Sequence, residues 1–472
     1  MNTDALEWAL MKAERRVLKI QTKLHQWAAE GSGRQFDDVF NLVCDPAFLL
    51  VAWARVRRNK GARTAGVDGQ TAYYIEHRGV EVFLDSLRAD MKSGEFRPLP
   101  VRERMIPKPG TSRHRRLGIP TVRDRVVQAA LKLVLEPIWE TDFLPCSYGF
   151  RPGRRAHDAV AEIRIFASPP HRYEWAVEGD ITACFDEISH SALLERVRER
   201  VTDRRVVRLI KAFLKAGILS EDRRLKDTAA GTPQGGILSP LLSNLALSVL
   251  DEHFAPPRQA PGVHGRWKRS VPHRLVRYAD DWVLLVRGTR ADAESKRDQA
   301  AAVLSSMGLR LSEEKTKIVH IDEGFDFLGW RIQRHRKRGT DRSYVYTYPS
   351  KKALKSAMGK VKLRCDRIDT NQPLSVLLLS LGSLLRGWTA YFRPGVSHRT
   401  FHYLSHYTWQ CVMRWLRRKH LKSSWGYLKR RYYCNGKWWP AEGGVVLFDP
   451  GAVPTTRYSY RGSKIPTPWP SP

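Results

Sequence analysis

Apolar positions along the chain follow two patterns that alternate with each other. At helical spacing they predict helices over residues 5–29, 46–58, 80–92, 124–135, 189–200 and 291–307. Short apolar runs bounded by turn residues predict strands at 101–106, 175–180 and 325–330, and on both sides of 279–281. Helices and strands are therefore both expected along the chain.

A tight turn within residues 277–282, RYADDW, joins two of the predicted strands. Asp280 and Asp281 are adjacent there, and two unpaired carboxylates repel each other and are costly to bury. A divalent cation would compensate both charges. A third carboxylate, Asp180, ends the strand 175–180 and favours a metal site over the alternative, a solvated Asp-Asp turn.

Basic or glycine-rich loops lie upstream of this turn. A hairpin predicted over 102–120 carries cations that suit a triphosphate or a template backbone. Those cations are Lys108, Arg113, Arg115 and Arg116. A glycine-rich turn within 231–247 opens an apolar helix and can place the Gln234 amide beside a ligand. The loop 61–69 is not a Walker loop, because the terminal G-K-[ST] is missing.

The region 351–431 differs from the rest in charge. It holds 18 Lys or Arg residues against 2 Asp and no Glu, and aromatic residues alternate with the cations. This composition predicts a helical domain that holds a nucleic-acid backbone and stacks bases. The alternative, in which the aromatics form an ordinary core and the cations only aid solubility, explains the near absence of acids poorly.

The whole chain points to a polyanionic partner. It has 472 residues and a formal net charge of +33, and nucleic acid is the usual partner for such an excess. We expect no membrane association, because we find neither an apolar run long enough for a bilayer nor a signal peptide. Six scattered cysteines without a C-x-x-C pair predict reduced thiols, a cytoplasmic protein and no zinc site.

The motifs and their order resemble the reverse transcriptases encoded by bacterial group II introns, also called intron maturases. The motifs are GDITACFDEI at 179–188, GTPQGGILSPLLSNL at 231–245, YADD at 278–281, FLGW at 327–330 and LLRGWTAYF at 384–392. The last of these, with WLRRKH at 415–420, resembles the thumb region specific to maturases, called domain X. The resemblance is to members without an endonuclease module, because the paired cysteines and histidines of that module are missing.

The resemblance implies an α+β fold, a right-hand polymerase with fingers, a palm built on an antiparallel sheet, and a helical thumb or maturase domain. The implied segments are an N-terminal extension with the start of the fingers, the rest of the fingers, the palm, domain X and a C-terminal tail. Their predicted bounds are 1–95, 96–174, 175–345, 346–431 and 432–472.

The resemblance also implies roles for individual residues. Two Mg²⁺ ions, for which Mn²⁺ could substitute, would be held by Asp180, Asp280 and the Ile181 carbonyl, with Asp281 assisting. The residues expected at the incoming nucleotide are Lys108, Arg115, Phe185, Gln234 and Lys315, with Phe185 as the gate against the ribose 2′-hydroxyl. The expected primer grip is Phe327, Leu328, Gly329 and Trp330. The expected RNA-binding residues are Arg386, Arg414, Arg417, Arg418 and Lys419.

The implied activity is RNA-directed DNA synthesis together with assistance to intron splicing and mobility. The implied partners are intron RNA, an RNA template with a DNA or RNA primer, deoxynucleoside triphosphates and a DNA target. Three alternatives stay open. They are a splicing-only maturase, which the intact carboxylates disfavour, a domesticated or phage-defence reverse transcriptase, which the thumb disfavours, and an RNA polymerase, which the bulk of Phe185 disfavours.

Overall fold

A computed structural model describes residues 3–31, 33–107, 114–222, 224–226, 228, 230–255, 272–433 and 439–469. The helices within these ranges are α1 Thr3–Glu30, α2 Phe40–Val43, α3 Pro46–Arg58, α4 Ala72–Arg78, α5 Val80–Ser93, α6 Val122–Trp139, α7 Ala156–Ala167, α8 Cys184–Glu187, α9 His190–Arg198, α10 Arg204–Leu214, α11 Ser239–His253, α12 Arg290–Ser305, α13 Lys351–Arg367, α14 Leu374–Phe392, α15 His398–Lys419 and α16 Trp425–Tyr432. The mixed helix and strand content confirms the predicted α+β class.

The strands form separate sheets. In chain order they are β1 Val101–Pro107, β2 His114–Ile119, β3 Trp175–Gly179, β4 Ile218–Leu219, β5 Leu225–Lys226, β6 His273–Tyr278, β7 Asp281–Val286, β8 Lys317–His320, β9 Phe325–Phe327, β10 Trp330–Arg336, β11 Ser343–Pro349, β12 Ala441–Glu442 and β13 Val445–Val446. Their orders are β2-β1-β4-β5, β6-β7-β3-β8, β11-β10-β9 and β12-β13. The second of these sheets carries the predicted catalytic carboxylates.

The chain divides into two compact units. One comprises Met1–Ala159, Val177–Ile318 and Arg461–Pro472, and the other comprises Val160–Ala176 and Val319–Tyr460. The five segments predicted from the sequence are finer than this division and stay a prediction.

Helix α6 forms the centre of the first unit. Its side chains are buried along nearly its whole length, and both α1 and α3 contact it.

Local sequence determines where helix α3 begins. The Asp45 side chain accepts a hydrogen bond from Ala47 N at 2.9 Å, and Pro46 occupies the first position of α3, where its missing N–H costs nothing. The bounds of α3 match the prediction of 46–58.

The C-terminal residues 461–469 belong to the first unit. Arg461 Nη2 lies 2.6 Å from Asp158 Oδ2, and the Asp158 side chain is fully buried. The Trp469 side chain is also buried, and its ring centroid lies 5.4 Å from that of His25. The tail therefore supplies both a charge partner and an aromatic side chain to a unit built mainly from the N-terminal half of the chain.

Helix α14 forms the core of the second unit together with α13 and α15. Five of its leucines are buried there, at 374, 377, 378, 381 and 385. By length and composition, this helix of 19 residues is also apolar enough to cross a membrane. The expectation that no apolar run has sufficient length was therefore wrong. The burial of one face in a protein core is the ordinary reason for such a composition.

Candidate active site

Asp180 follows directly after β3, whose end packs tightly against β7. A Cβ atom added to Gly179 would lie 1.9 Å from Cζ2 of Trp282, so only glycine fits at this position. Because neighbouring strands lie about 4.8 Å apart, this contact brings the end of β3 close to the start of β7. Asp180 and Asp281 therefore lie on neighbouring strands at the same edge of the sheet.

The turn between β6 and β7 holds Asp280. Tyr278 pairs with Asp281 across the two antiparallel strands, which leaves Ala279 and Asp280 as the connecting residues. Ala279 has a φ of 58°, in the left-handed region that side chains with a Cβ rarely adopt. The Asp280 charge also acts on Cys184, the first residue of α8. Burial raises the pKa of Cys184 to about 12, and the Asp280 charge makes a smaller contribution in the same direction.

Lys315 forms an ion pair with Asp180. Its Nζ lies 2.7 Å from Asp180 Oδ2. The backbone on both sides of Ile181 is fixed as well, by Ser312 N donating to Asp180 O at 2.8 Å and Thr182 N donating to Arg310 O at 2.9 Å. This pattern makes Ile181 and Leu311 a non-hydrogen-bonded pair, so the bridge itself does not use the Ile181 carbonyl.

The donor types at this edge suit a hard divalent cation, since carboxylate and carbonyl oxygens are the ligands that Mg²⁺ prefers. The ammonium of Lys315 already places a positive charge against Asp180. Within the described ranges, no group of three or more His, Cys, Asp or Glu side chains is arranged to hold a metal ion. The ligand roles of Asp180, Ile181, Asp280 and Asp281 therefore stay predictions.

A cavity of about 250 Å³ in the first unit brings together residues from five segments. Phe185 and Gln234, two of the residues predicted at the incoming nucleotide, both line it. Arg116 lines it as well and lies 3.9 Å from the carboxylate of Asp186, next to the predicted gate. Burial raises the pKa of Asp186, while Arg116 opposes that shift.

The backbone of the cavity wall is held by hydrogen bonds between its segments. Thr232 N donates to Phe185 O at 2.6 Å, and Gly118 N donates to Gln234 O at 2.7 Å. A Cβ atom on Gly231 would lie 2.6 Å from Asp186 O. The glycine-rich turn therefore packs directly on the backbone of α8.

The two predicted triphosphate contacts are less well defined by the structure. Lys108 lies outside the described residues. Arg115 is exposed on β2 and is not among the residues that line the cavity, whereas Arg116 is. The role of Arg115 stays a prediction, whereas Arg116 lines the same cavity as Phe185.

The prediction of a single strand at 325–330, the segment of the expected primer grip, was wrong. These residues form a hairpin, because Phe327 pairs with Trp330 and the chain reverses at Leu328 and Gly329. Their φ values are 50° and 82°, and two successive positive values are typical of a type I′ turn. The apolar run favoured a continuous strand, although Gly329 at the second turn position indicated a turn.

The predicted RNA-binding residues of α15 share its last two turns but differ in their contacts. Arg414 and Arg417 are exposed, and the Arg417 guanidinium lies 4.4 Å from the Trp425 ring centroid. Arg418 Nη2 donates to Cys365 O at 2.7 Å, and Lys419 Nζ donates to Thr370 O at 2.6 Å. Arg418 and Lys419 therefore also hold the end of α13 and the loop that follows it.

Arg386, on α14, is exposed, and its guanidinium carbon lies 5.6 Å from the ring centroid of Phe448.

Sequence reasoning missed Arg277, which is fully buried two residues before the turn that carries Asp280. The sequence feature that indicated a structural role for Arg277 was its position within the apolar strand LVRY, because a charge in a buried strand requires a partner.

Comparisons with known proteins match two adjacent regions of the chain. Residues 106–332 match the reverse transcriptase (RNA-dependent DNA polymerase) family. Residues 354–433 match the group II intron, maturase-specific domain. Protein YkfC of Escherichia coli K12 is 36% identical over 359 residues, which is 71% of this chain and 93% of YkfC. This chain belongs to the group II intron reverse transcriptases.

Other members of the family are more distant or longer. The group II intron-encoded protein LtrA of Lactococcus lactis is 33% identical over 68% of this chain, which spans 61% of LtrA. Nuclear intron maturase 1, mitochondrial, of Arabidopsis thaliana is 28% identical over 46% of this chain and 41% of its own length. Among solved structures, a telomerase of Candida albicans with a telomeric RNA fragment aligns at a TM-score of 0.38 and 13% identity, covering 76% of this chain and 68% of that one.

Family membership confirms the right-hand polymerase fold and the enzyme class, RNA-directed DNA polymerase. It also confirms nucleic acid as the partner. Divalent metal ions are general cofactors of reverse transcriptases, whereas the particular metal and its ligands are not fixed by the family match.

Proposed function

We propose that this chain extends a primer with deoxynucleotides on an RNA template at the edge of the sheet β6-β7-β3-β8. The observation that supports this most strongly is the placement of Asp180 and Asp280 at the ends of neighbouring strands, with the Lys315 ammonium 2.7 Å from Asp180. Carboxylates at the ends of neighbouring strands, one of them already paired with a positive charge, suit metal-assisted phosphoryl transfer.

Asp180, Asp280 and the Ile181 carbonyl would hold two Mg²⁺ ions, or Mn²⁺ in their place, and Asp281 would assist. When bound, these ions lower the pKa of the primer 3′-hydroxyl and stabilise the leaving pyrophosphate. Lys315, whose Nζ lies 2.7 Å from Asp180 Oδ2, would donate a proton to the pyrophosphate.

The cavity at Phe185 would receive the sugar and base of the incoming nucleotide. Phe185 would exclude a ribose 2′-hydroxyl by van der Waals contact, and Gln234 would pack beside the nucleotide. Lys108 and Arg115 of the basic hairpin would hold the triphosphate, because cations on a hairpin match its charge and geometry.

The maturase-specific domain would bind the intron RNA and so assist its splicing and mobility. Its charge excess supports this role, since 18 cations stand against 2 acids over residues 351–431. The further partners would be an RNA template with a DNA or RNA primer, deoxynucleoside triphosphates and a DNA target. We propose a cytoplasmic location, where cysteine thiols such as those of residues 44, 184, 365 and 411 stay reduced.

Primer extension by an Asp280→Asn variant tests the site. The variant should lose Mg²⁺-dependent addition of deoxynucleotides on an RNA template, because it removes a metal ligand and its charge. RNA binding should persist, since the cationic surface is unchanged. Asp298→Asn on the exposed face of α12 is the matched control and should extend the primer normally. Extension at the normal rate by Asp280→Asn would contradict the proposed site.

A further inference from the structure

A completely buried arginine lies two residues before the turn that carries Asp280. The Arg277 side chain has no solvent exposure, and neither has that of its partner Asp251 on α11. Arg277 Nε donates to Asp251 Oδ1 at 2.7 Å, and Nη2 donates to the second carboxylate oxygen. Because a buried charge without a partner is strongly unfavourable, Asp251 explains why the arginine is tolerated but not what the arginine does.

The remaining nitrogen of the guanidinium contacts the catalytic turn itself. Arg277 Nη1 donates to the carbonyl of Ala279 at 3.1 Å and to Asn244 Oδ1 at 3.0 Å. Asn244 in turn donates to Gly149 O at 2.8 Å. The planar guanidinium thus connects helix α11 to the residue that immediately precedes Asp280.

Ala279 needs such support. Its φ of 58° is in the left-handed region, which is unfavourable for a residue with a Cβ. A conformation of this kind persists only where the surrounding structure holds it, and such residues concentrate at functional sites. The hydrogen bond from Arg277 to the Ala279 carbonyl is one of the contacts that hold it.

A backbone loop supports the turn from another side. Tyr148 N donates to Arg277 O at 2.8 Å, and Arg277 Nη2 donates to Ser147 Oγ at 2.8 Å. A Cβ atom on Gly149 would lie only 2.3 Å from Ala279 N. The loop 147–149 is therefore in direct contact with the turn, and the arginine bonds to the loop, the helix and the turn at once.

We infer that Arg277 is a positioning residue for the polymerase reaction, which holds Ala279 in its left-handed conformation and thereby fixes the Asp280 carboxylate for its metal ion. The inference rests on the proposed function, in which Asp280 is a metal ligand. Ligand orientation by outer contacts typically contributes 10–100-fold to metal affinity or activity. A purely structural Arg277 would instead affect the stability of the fold and leave metal affinity unchanged.

Direct binding of Mn²⁺, measured by electron paramagnetic resonance without turnover, separates these roles. The sample is the full chain on an RNA template with a dideoxy-terminated primer and the matching nucleotide. Arg277→Lys keeps the charge opposite Asp251 but loses the planar fork. We expect its dissociation constant for Mn²⁺ to rise roughly tenfold. Asn244→Ala, which leaves the ion pair intact, should shift the constant in the same direction by a smaller factor and provides the test if Arg277→Lys does not fold.

A matched control is available in the same unit. Arg125 is also buried and donates to the carbonyls of Pro120, Gly61 and Thr64, and none of these three bonds reaches the turn 278–281 or the loop 147–149. Arg125→Lys should lower the unfolding temperature without changing the dissociation constant for Mn²⁺. Adding Ala279→Gly to Arg277→Lys should recover part of the Mn²⁺ affinity, because glycine adopts positive φ without strain.

The outcomes distinguish a failure of this inference from a failure of the proposed metal site on which it rests. If Asp280→Asn binds Mn²⁺ as the unmodified chain does, the metal site is wrong and the inference falls with it. If Asp280→Asn loses binding while both Arg277→Lys and Asn244→Ala keep it, Arg277 has only a structural role and the inference alone is overturned.

Discussion

At the scale of single residues, hydrogen bonding and local conformation fix the backbone at Phe185. Its carbonyl accepts a hydrogen bond from Thr232 N at 2.6 Å, and Ala183 before it has a φ of 42°, which starts the short helix α8. A gate can select between sugars only if it cannot move aside. These contacts therefore support the predicted role of Phe185 against the ribose 2′-hydroxyl.

Shortening this side chain should change sugar selection. For Phe185→Val we expect incorporation of ribonucleotides relative to deoxynucleotides to rise roughly tenfold or more, which corresponds to about 1.4 kcal/mol. Single-nucleotide addition with each nucleotide type measures the ratio, and Phe185→Tyr, which keeps the bulk, should leave it low. An unchanged ratio in Phe185→Val would place the gate elsewhere.

At the scale of elements, the hairpin of β9 and β10 shows the limit of reading strands from apolar runs. Phe325 to Trp330 is apolar at nearly every position, and apolarity alone does not tell one strand from two. Tyr391 Oη donates to Leu328 O at 2.9 Å, so a residue of α14 lies on the turn. This contact is between residues 63 positions apart, and no local pattern predicts it.

The turn should depend on its glycine. Gly329 has a φ of 82°, and a Cβ atom added there would lie no closer than 3.6 Å to any neighbour, so Gly329→Ala should cost about 1 kcal/mol through backbone strain alone. Gly359, inside α13 with nothing within 4 Å of its Cβ position, is the matched control. Gly359→Ala should stabilise by roughly 0.5–1 kcal/mol. Urea denaturation measures both, and a stabilising Gly329→Ala would contradict the assigned turn.

Elements with a strong local signal were predicted well. Asp45 and Pro46 mark the start of α3, and the two strands around the turn of the YADD motif follow from apolar runs on both sides of it. The ion pair of Arg461 with Asp158 could not be predicted in this way, because the two residues are 303 positions apart. The same holds for the contacts of Arg277 with Ser147 and Asn244, which lie on separate segments.

At the scale of the whole molecule, the excess of positive charge should govern affinity for RNA. Arg414, Arg417 and Arg418 are all exposed on α15, but Arg418 and Lys419 also donate hydrogen bonds to backbone carbonyls within their unit. Replacing Arg414 and Arg417 with Gln should therefore remove phosphate contacts without loosening α13. Affinity for intron RNA should fall, and splicing assistance should suffer more than primer extension at saturating template.

The salt dependence of RNA binding is the specific measurement. For every phosphate that the variant no longer neutralises, the slope should flatten by roughly 0.7–0.9 log units of affinity per log unit of salt. The control replaces cations exposed on α10, at Arg204, Arg208 and Lys211, and should leave splicing unchanged. An unaltered slope with normal splicing in the Arg414 and Arg417 variant would mean that these charges only solvate the helix.

The metal preference of an Asp280→Cys variant tests most directly whether the edge of the catalytic sheet holds the reactive metal ions. A thiolate is a poor ligand for Mg²⁺ and accepts softer metals more readily. With Mg²⁺, we predict that the rate of RNA-templated nucleotide addition by this variant is lower than that of the unmodified chain by at least roughly 10–100-fold, the loss that follows removal of an outer ligand-orienting group. With Mn²⁺, the rate should recover in part. The unmodified chain should be active with both ions. Activity of Asp280→Cys with Mg²⁺ equal to that of the unmodified chain would contradict a metal-ligand role for Asp280.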